Sequence, residues 1–392
     1  MILTNEQEQA LKTIIAKYKN HEKYVTVCGY AGVGKSTLVK FAIEALDVAE
    51  DKVAYACFCG KAAEVLRKKG NKNAMTLHKL LYDSIPRKGG GFFRKPKIKL
   101  EYDIVVVDEI SLAPKSMLDM LLKHKVFCIF IGDNFQLPQI DKNEAHNFLD
   151  NSDIFLSTVM RQAAESEIIQ LTMKIRQGED INYFQGQEVQ VLPHTQLNTG
   201  MLLWADQILT ATNIKRHSIN QEMRKLLGYN SLLCNNEKIV VKRNYWDDCN
   251  EDGDALVNGT VGTITNVYDS FIKLPLNIKI QNHTIPTICG DITPEFGASF
   301  KNINLDKNFL IKEEPCVDWR VSYQVGKMKN KIGDILPKQI TYGYALTCHA
   351  AQGSEWDKVL VLEENFPFDK TEHARWLYTA CTRASEKLVL LR

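Results

Sequence analysis

Gly29-Tyr30-Ala31-Gly32-Val33-Gly34-Lys35-Ser36, followed by Thr37, has the form G-x-x-x-x-G-K-[ST]. An apolar run, Tyr24 to Cys28, precedes it and reads as a buried strand; a helical pattern from Ser36 to Leu46 follows it. In that setting glycines let the backbone curl so that its N–H groups point inward, and the helix N-terminus adds partial positive charge. Such a concavity holds polyphosphate. Gly29, Ala31, Gly32, Val33, Gly34, Lys35, Ser36 and Thr37 are therefore the candidate nucleotide contacts, with Lys35 on the β- and γ-phosphates and the Ser36 hydroxyl on Mg²⁺.

Working outward, Val53 to Phe58, Ile104 to Val107 and Phe127 to Ile131 are further short apolar runs separated by helical patterns. Continuous apolar strands alternating with helices predict an α/β fold with a parallel sheet covered on both faces. The run Val105-Val106-Val107 ends in Asp108-Glu109, 73 residues beyond Lys35. A carboxylate at a strand end can hold Mg²⁺ through its water shell, which assigns Asp108 to the metal. Its neighbour Glu109 is placed to polarise an attacking water as general base. Together the two segments make a nucleoside-triphosphate hydrolase that uses ATP and Mg²⁺, without saying what the hydrolysis drives.

Composition sets outer limits. The chain has 392 residues, 45% hydrophobic and 24% charged, which suits two or three globular domains and excludes disordered or collagen-like classes. No apolar run approaches the roughly 18 residues that would cross a bilayer, and the start, MILTNEQEQ, shows no secretory signal. The ten cysteines are scattered without metal-site spacing, which predicts free thiols in a reducing cytosol.

Four regions follow from the pattern: a first α/β core over 1–150, a second α/β stretch over 151–230, a β-rich insertion over 231–338, and a return of α/β alternation over 339–392. Lys238 to Val241, Val261 to Val267 and Leu276 to Ile280 read as strands of the insertion, and Asn258-Gly259 reads as a two-residue hairpin turn. One segment departs from its surroundings. Arg87 to Lys99, RKGGGFFRKPKIK, carries six basic residues and no acids, with glycine and proline favouring a turn or hairpin over about 84–101. The whole chain sums to only +2, so removing those six cations leaves −4 on the other 379 residues. Any polyanion site must be local.

Further segments resemble, in order and spacing, the motif set of superfamily 1 helicases. Leu3-Thr4-Asn5-Glu6-Gln7 resembles the adenine-reading glutamine motif. Cys59-Gly60-Lys61-Ala62-Ala63 and Thr76-Leu77-His78 resemble the first single-strand contacts, with Cys59 standing where threonine is common. Gly132-Asp133-Asn134-Phe135-Gln136-Leu137-Pro138 resembles motif III, whose glutamine meets the γ-phosphate; Gln139 replaces a second proline there. Val159-Met160-Arg161-Gln162 resembles motif IV with an arginine finger, and Ala211-Thr212-Asn213 resembles the segment after the first strand of the second core. Thr347 to Glu355 resembles motif V, which carries Gln352 and Gly353 over as nucleotide contacts. Tyr378-Thr379-Ala380-Cys381-Thr382-Arg383 resembles motif VI, with Arg383 as second finger. The form of motifs III and V is similar to the RecD-like and Dda-like branch, which moves 5′→3′.

The resemblance implies two RecA-like parallel-sheet cores of the P-loop NTPase class. It also implies a wedge hairpin inserted in the first core and a β-barrel-like insertion in the second. Implied too are catalytic roles for Lys35, Asp108, Glu109, Gln136, Arg161 and Arg383, and nucleic-acid contacts at Lys61, Thr76, His78, Thr212, Asn213, Thr347 and His349. Phe92 and Phe93 would stack on the base pair at a fork, while the surrounding cations hold backbone phosphates. The expected partners are single-stranded and fork DNA and a single-strand-binding or replisome protein. The expected state is a monomer in the cytosol of a bacterium or a phage-infected host, with no membrane. The alternatives are a translocase that strips proteins without unwinding, an RNA-directed helicase, and a nucleic-acid-binding scaffold with a degenerate ATP site.

Overall fold

Ile104–Val107 is buried at every residue, as is Phe127–Gly132, and side chains apolar on both faces require cover on both faces. A computed structural model of the chain, describing residues 3–68, 70–86, 92–138, 142–160, 164–276, 278, 280, 282–295, 297–332 and 335–392, meets that requirement. The chain divides into two units. One comprises Met1–Leu81, Lys97–Arg216 and Leu346–Arg392; the other comprises Tyr82–Pro96 and His217–Ala345.

The first unit holds two six-stranded sheets. The first runs in the order Ala74–Thr76, Val53–Cys57, Ile104–Val107, Phe127–Gly132, Tyr24–Gly29, Ile154–Leu156, every pairing parallel. Val25, Val27, Leu38, Ile104, Val106 and Ile129 are fully or almost fully buried in its core, each contributing about 1.5–3 kcal/mol of hydrophobic stabilisation. The second sheet runs Ala345–Thr347, Gln207–Thr210, Trp356–Leu362, Ala384–Leu391, Val189–Leu192, Phe184–Gln185. Its four inner strands pair in parallel and Phe184–Gln185 pairs antiparallel at the edge. Loops at the carboxyl ends of such strands are where ligands bind in open α/β sheets. The phosphate loop and the Asp108-Glu109 pair both lie there.

The second unit is built on a five-stranded antiparallel sheet: Phe300–Asp306, Thr284–Pro294, Val261–Lys273, Lys238–Val241, Ile340–Tyr342. The two longest strands extend beyond the main core, and their ends pack with Val317, Val321 and Val325 into a separate small cluster. Ile340–Tyr342 pairs with Lys238–Val241, so this unit continues to Ala345 rather than stopping at 338. Its other boundary falls inside the helix Asn213–Leu226, not near 230.

Three local expectations change. Leu276, Ile278 and Ile280 belong to no strand. Pro275 starts a turn there, with the Ile278 amide donating to its carbonyl over 3.0 Å. Asn258-Gly259 does turn, with Gly259 at φ 83°, but the flanking strands find other partners: Ala255–Leu256 pairs with Tyr245–Cys249, and Val261–Lys273 with Lys238–Val241. The basic segment does form a hairpin, from Tyr82–Pro86 and Phe92–Pro96 in antiparallel register, Ile85 opposite Phe93. It groups with the second unit; Lys97 and Lys99 do not. Arg94 lies half-buried near Cys249, Asp247 and Asp254, so this cation sits in an acidic setting on the strand pair Tyr245–Cys249/Ala255–Leu256. Burial lowers its pKa and those groups oppose the shift. Residues 87–91 lie outside the described residues, as do the Phe92 and Phe93 side chains.

Candidate nucleotide site and nucleic-acid track

The phosphate loop leaves the strand Tyr24–Gly29 and enters the helix Lys35–Ala45 through Gly34, whose φ of 78° only glycine adopts without strain. Space also requires glycine, because a Cβ there would stand 2.6 Å from the Gln7 amide nitrogen. Lys35 Nζ donates to the carbonyls of Gly29 and Tyr30, 2.7 Å each, folded back on its own loop. Ser36 at the helix start is exposed and Thr37 partly so.

Gln7 reaches the loop by a local route. Thr4 caps the helix Asn5–Lys19 in a capping box, its hydroxyl accepting from the Gln7 amide while Gln7 Oε1 accepts from Thr4 N. Gln7 Nε2 donates to the Val33 carbonyl at 3.2 Å, and the side chain is 1% exposed. The expected adenine reader thus serves here as a strut between a helix cap and the phosphate loop.

Asp108 and Glu109 stand where the buried strand ends. Asp108 Oδ1 accepts from the Glu109 amide at 2.9 Å, and Glu109 takes a left-handed backbone, φ 50° and ψ 46°. Burial pushes the Glu109 pKa up; Arg383 opposes the shift and Asp108 adds to it. Solvent still reaches 23% of this side chain, which moderates the effect. Arg383 arrives from the second sheet's side of the unit. It is 5% exposed, its Nη1 is 3.9 Å from Glu109 Oε1, and it donates to the carbonyls of Thr379 and Ser354 at 3.1 and 3.2 Å.

Three polar atoms in these segments are buried with no hydrogen-bond partner: Glu109 Oε2, Ser111 Oγ and Gln136 Oε1. Orphaned buried groups at a carboxyl-end cleft mark a place for a polar ligand. Beside a phosphate loop and a lysine, the ligand that suits them is a metal-bound triphosphate. Among the described residues no group of three or more His, Cys, Asp or Glu is arranged to hold a metal. Mg²⁺ does not ask for one, since it keeps waters and bridges one or two protein groups to phosphates.

Motif III is gripped from the second core. The Leu137 amide donates to Thr379 Oγ1 at 3.0 Å, and Gln352 Nε2 donates to the Leu137 carbonyl at 2.6 Å. Gln352 thereby clamps motif III from the second core. Gly353, φ 70°, lies against Cys59, whose thiol donates to the Gly353 carbonyl and accepts from Ala62 N. Cys59 thus caps the helix Gly60–Lys68 in place of a threonine hydroxyl.

Of the nucleic-acid candidates, Lys61, Thr76, His78, Thr212, Asn213, Thr347 and His349 belong to the first unit, and Phe92 and Phe93 to the second. Thr76 Oγ1 accepts from Lys79 N, and the His78 ring lies 5.9 Å from Phe58. Thr212 is already engaged: its hydroxyl donates to Glu364 Oε1 at 2.6 Å, and its amide and that of Ala211 donate to Glu364 Oε2. Asn213 Oδ1 accepts from Arg216. Thr347 begins the short turn Cys348–Ala351, and burial lowers the His349 pKa, so that imidazole is neutral near pH 7. The Lys61 side chain, Arg161, Gln162 and Gln139 lie outside the described residues.

Sequence reading missed four residues of this cleft. Asp133, Tyr378 and Thr379 lie within quoted motifs, but the pairing of Tyr378 with Asp133 and of Thr379 with Leu137 is a tertiary fact. Arg176 ends the helix Glu167–Gln177 with no local signal, yet its guanidinium stacks 3.7 Å from the Tyr30 ring and pairs with Asp133 at 3.2 Å.

Comparison with known proteins agrees with this anatomy. A family described as AAA domain matches residues 2–191, and a UvrD-like helicase C-terminal domain matches 342–391. The ATP-dependent DNA helicase dda of Enterobacteria phage T4 is 28% identical over 191 residues, 45% of this chain and 43% of that protein. The ATP-dependent RecD2 DNA helicase of Deinococcus radiodurans is 26% identical over 389 residues, 97% of this chain and 48% of that one. The chain spans about half the length of these relatives. In fold it resembles Pif1 helicase from Bacteroides in complex with ADP-AlF3 and ssDNA, TM-score 0.51 at 18% identity, covering 100% of this chain and 92% of that one. By its two matched domains and these relatives, the chain belongs to the superfamily 1 helicases, in their Dda-like and RecD-like branch.

Proposed function

We propose that the protein is an ATP-dependent DNA helicase that moves 5′→3′ on single-stranded DNA and unwinds duplex. The observation that carries this reading is Arg383, delivered by the second core to 3.9 Å from Glu109 of the first. Lys35, Ser36, Asp108 and Glu109 serve the triphosphate from one side and Arg383, with Arg161, from the other. Ser36 and Asp108 would hold Mg²⁺, which when bound would supply charge neutralisation at the phosphates. Glu109 takes the proton of the attacking water, and Lys35 leaves its loop carbonyls for the phosphates. The arginines neutralise the γ-phosphate only while the cores are together, so hydrolysis removes the reason for closure and the cores part. Alternating closure moves the strand along Lys61, Thr76, His78, Thr212, Asn213, Thr347 and His349. Thr212 first exchanges its Glu364 bonds for phosphate ones.

The hairpin Tyr82–Pro96 is the wedge, with Phe92 and Phe93 stacking at the fork. The partners are single-stranded and fork DNA and a single-strand-binding or replisome protein, and the working form is a monomer. All ten cysteines are free, which suits a reducing cytosol, bacterial or phage-infected. No described helix is long and apolar enough to cross a membrane.

The test compares unwinding of 5′-tailed and 3′-tailed duplexes with Mg-ATP, using Lys35→Ala as control. Unwinding from the 5′ tail alone is expected. Preference for the 3′ tail overturns the polarity, and greater stimulation by RNA than by DNA oligonucleotides overturns the substrate.

A further inference from the structure

Tyr378 lies in the helix Lys370–Cys381 of the second core and is fully buried. Its hydroxyl meets two parts of the first core at once. It accepts a hydrogen bond from the Ala31 amide of the phosphate loop at 3.1 Å and donates to Asp133 Oδ2 of motif III. Asp133, 2% exposed, spends its other oxygen on Phe135 N at 2.9 Å and Arg176 Nη1 at 3.2 Å. Arg176 in turn covers the Tyr30 ring, also in the phosphate loop, and stands 4.7 Å from the Phe135 ring, which packs edge-on against Tyr378. One residue further on, Thr379 accepts from Leu137 N; five residues on, Arg383 stands beside Glu109.

A tyrosine hydroxyl has a single proton. With that proton on Asp133, the oxygen can only accept from Ala31, and the Ala31 N–H is directed at tyrosine instead of at phosphate. Backbone N–H groups of such a loop are what cradle phosphates. Filling the loop therefore pulls on a bond whose other end is motif III and whose ring is fixed in the helix that delivers Arg383.

We propose that Tyr378 is a positioning residue that couples occupancy of the phosphate loop to motif III and to the helix Lys370–Cys381, whose end leads to Arg383. The inference goes beyond the helicase reading but rests on nucleotide binding at this loop. Removing only the hydroxyl, as in Tyr378→Phe, keeps the ring and its contact with Phe135 and cuts the link.

The experiment is hydrogen exchange of the full chain, wild type and Tyr378→Phe, with and without Mg-ADP plus fluoroaluminate. In wild type, nucleotide should slow exchange in 29–36 and also in 132–138 and 375–383. In Tyr378→Phe the first response should persist while the other two shrink at least tenfold. Steady-state hydrolysis should show kcat down tenfold or more with KM for ATP within threefold, and an unchanged melting temperature separates this from misfolding. Asp133→Asn keeps an acceptor for the hydroxyl but removes the Arg176 ion pair. Combined with Tyr378→Phe, it should cost less than the two separate effects together. Equal responses at 132–138 in wild type and variant overturn the inference, as does no response there in wild type. Absence of protection at 29–36 in wild type overturns the nucleotide reading and this inference with it.

Discussion

Glu109 combines a left-handed backbone, an orphaned carboxylate oxygen and a raised pKa at the end of a strand whose other residues are apolar and buried. A non-glycine residue in that conformation costs about 1–3 kcal/mol and persists where its surroundings impose it. A general base must be ionised, and the shift lets its proton persist to higher pH. The acid limb of the hydrolysis profile should therefore lie above the 4.5 of an ordinary glutamate. Stability carries the same sign: the folded state holds the proton more tightly, so stability is greatest below the ordinary value and falls as pH rises through the window above 4.5. Glu109→Gln should retain nucleotide binding, lower single-turnover hydrolysis by about 10²- to 10⁴-fold and erase the acid limb. Arg383→Ala should keep ATP binding and lower turnover by about 10³- to 10⁵-fold, measured with a fluorescent nucleotide beside steady-state rates. Normal turnover in that variant removes the finger assignment. At this scale the sequence located Lys35, Asp108 and Glu109 by type and spacing. It could not show that Gln7 and Gln352 spend their amides on the Val33 and Leu137 carbonyls, because a partner 26 or 215 residues away leaves no local trace.

Among elements, strands buried on both faces were the most legible: Ile104–Val107 and Lys238–Val241 read correctly to the residue, because continuous apolar runs have one stable setting. Long strands were less so. Val261–Lys273 runs six residues past its expected end, and in its outer half Ile272 packs on the small core of Val317, Val321 and Val325 while Tyr268 and Phe271 stay exposed. The hairpin Tyr82–Pro96 was visible as a charge and glycine anomaly; its grouping with the second unit was not, since Arg94 lies near acids about 150 residues distant. Phe92→Ala with Phe93→Ala should reduce strand separation several-fold while single-strand-stimulated ATP hydrolysis survives. An unchanged unwinding rate removes the wedge assignment.

Over the whole molecule, a charge of +2 fits the proposed motor, which must release its track. Each phosphate neutralised on a single strand adds about 0.7 to the salt slope and deepens the well the protein must leave. The described candidate contacts are mostly hydroxyls, amides and imidazoles, and burial lowers the pKa of the His349 imidazole. Affinity for a single-stranded oligonucleotide should therefore fall with salt at a log–log slope no steeper than about −4, read by anisotropy titration. A steeper slope would mean a cationic track that these residues do not make.

What the sequence determined by itself was every feature carried by neighbours in the chain: the phosphate loop, the strand ending in Asp108-Glu109, the parallel alternation and the capping box at Thr4. These follow from backbone geometry and periodicity, which act over a few residues. Tertiary structure alone decided the couplings. It set the Tyr378 hydroxyl between Ala31 and Asp133, laid Arg176 on Tyr30, brought Arg383 to Glu109, and turned Thr212 to Glu364. Each joins groups more than a hundred residues apart, and burial makes their hydrogen bonds obligatory only once the two sheets have formed.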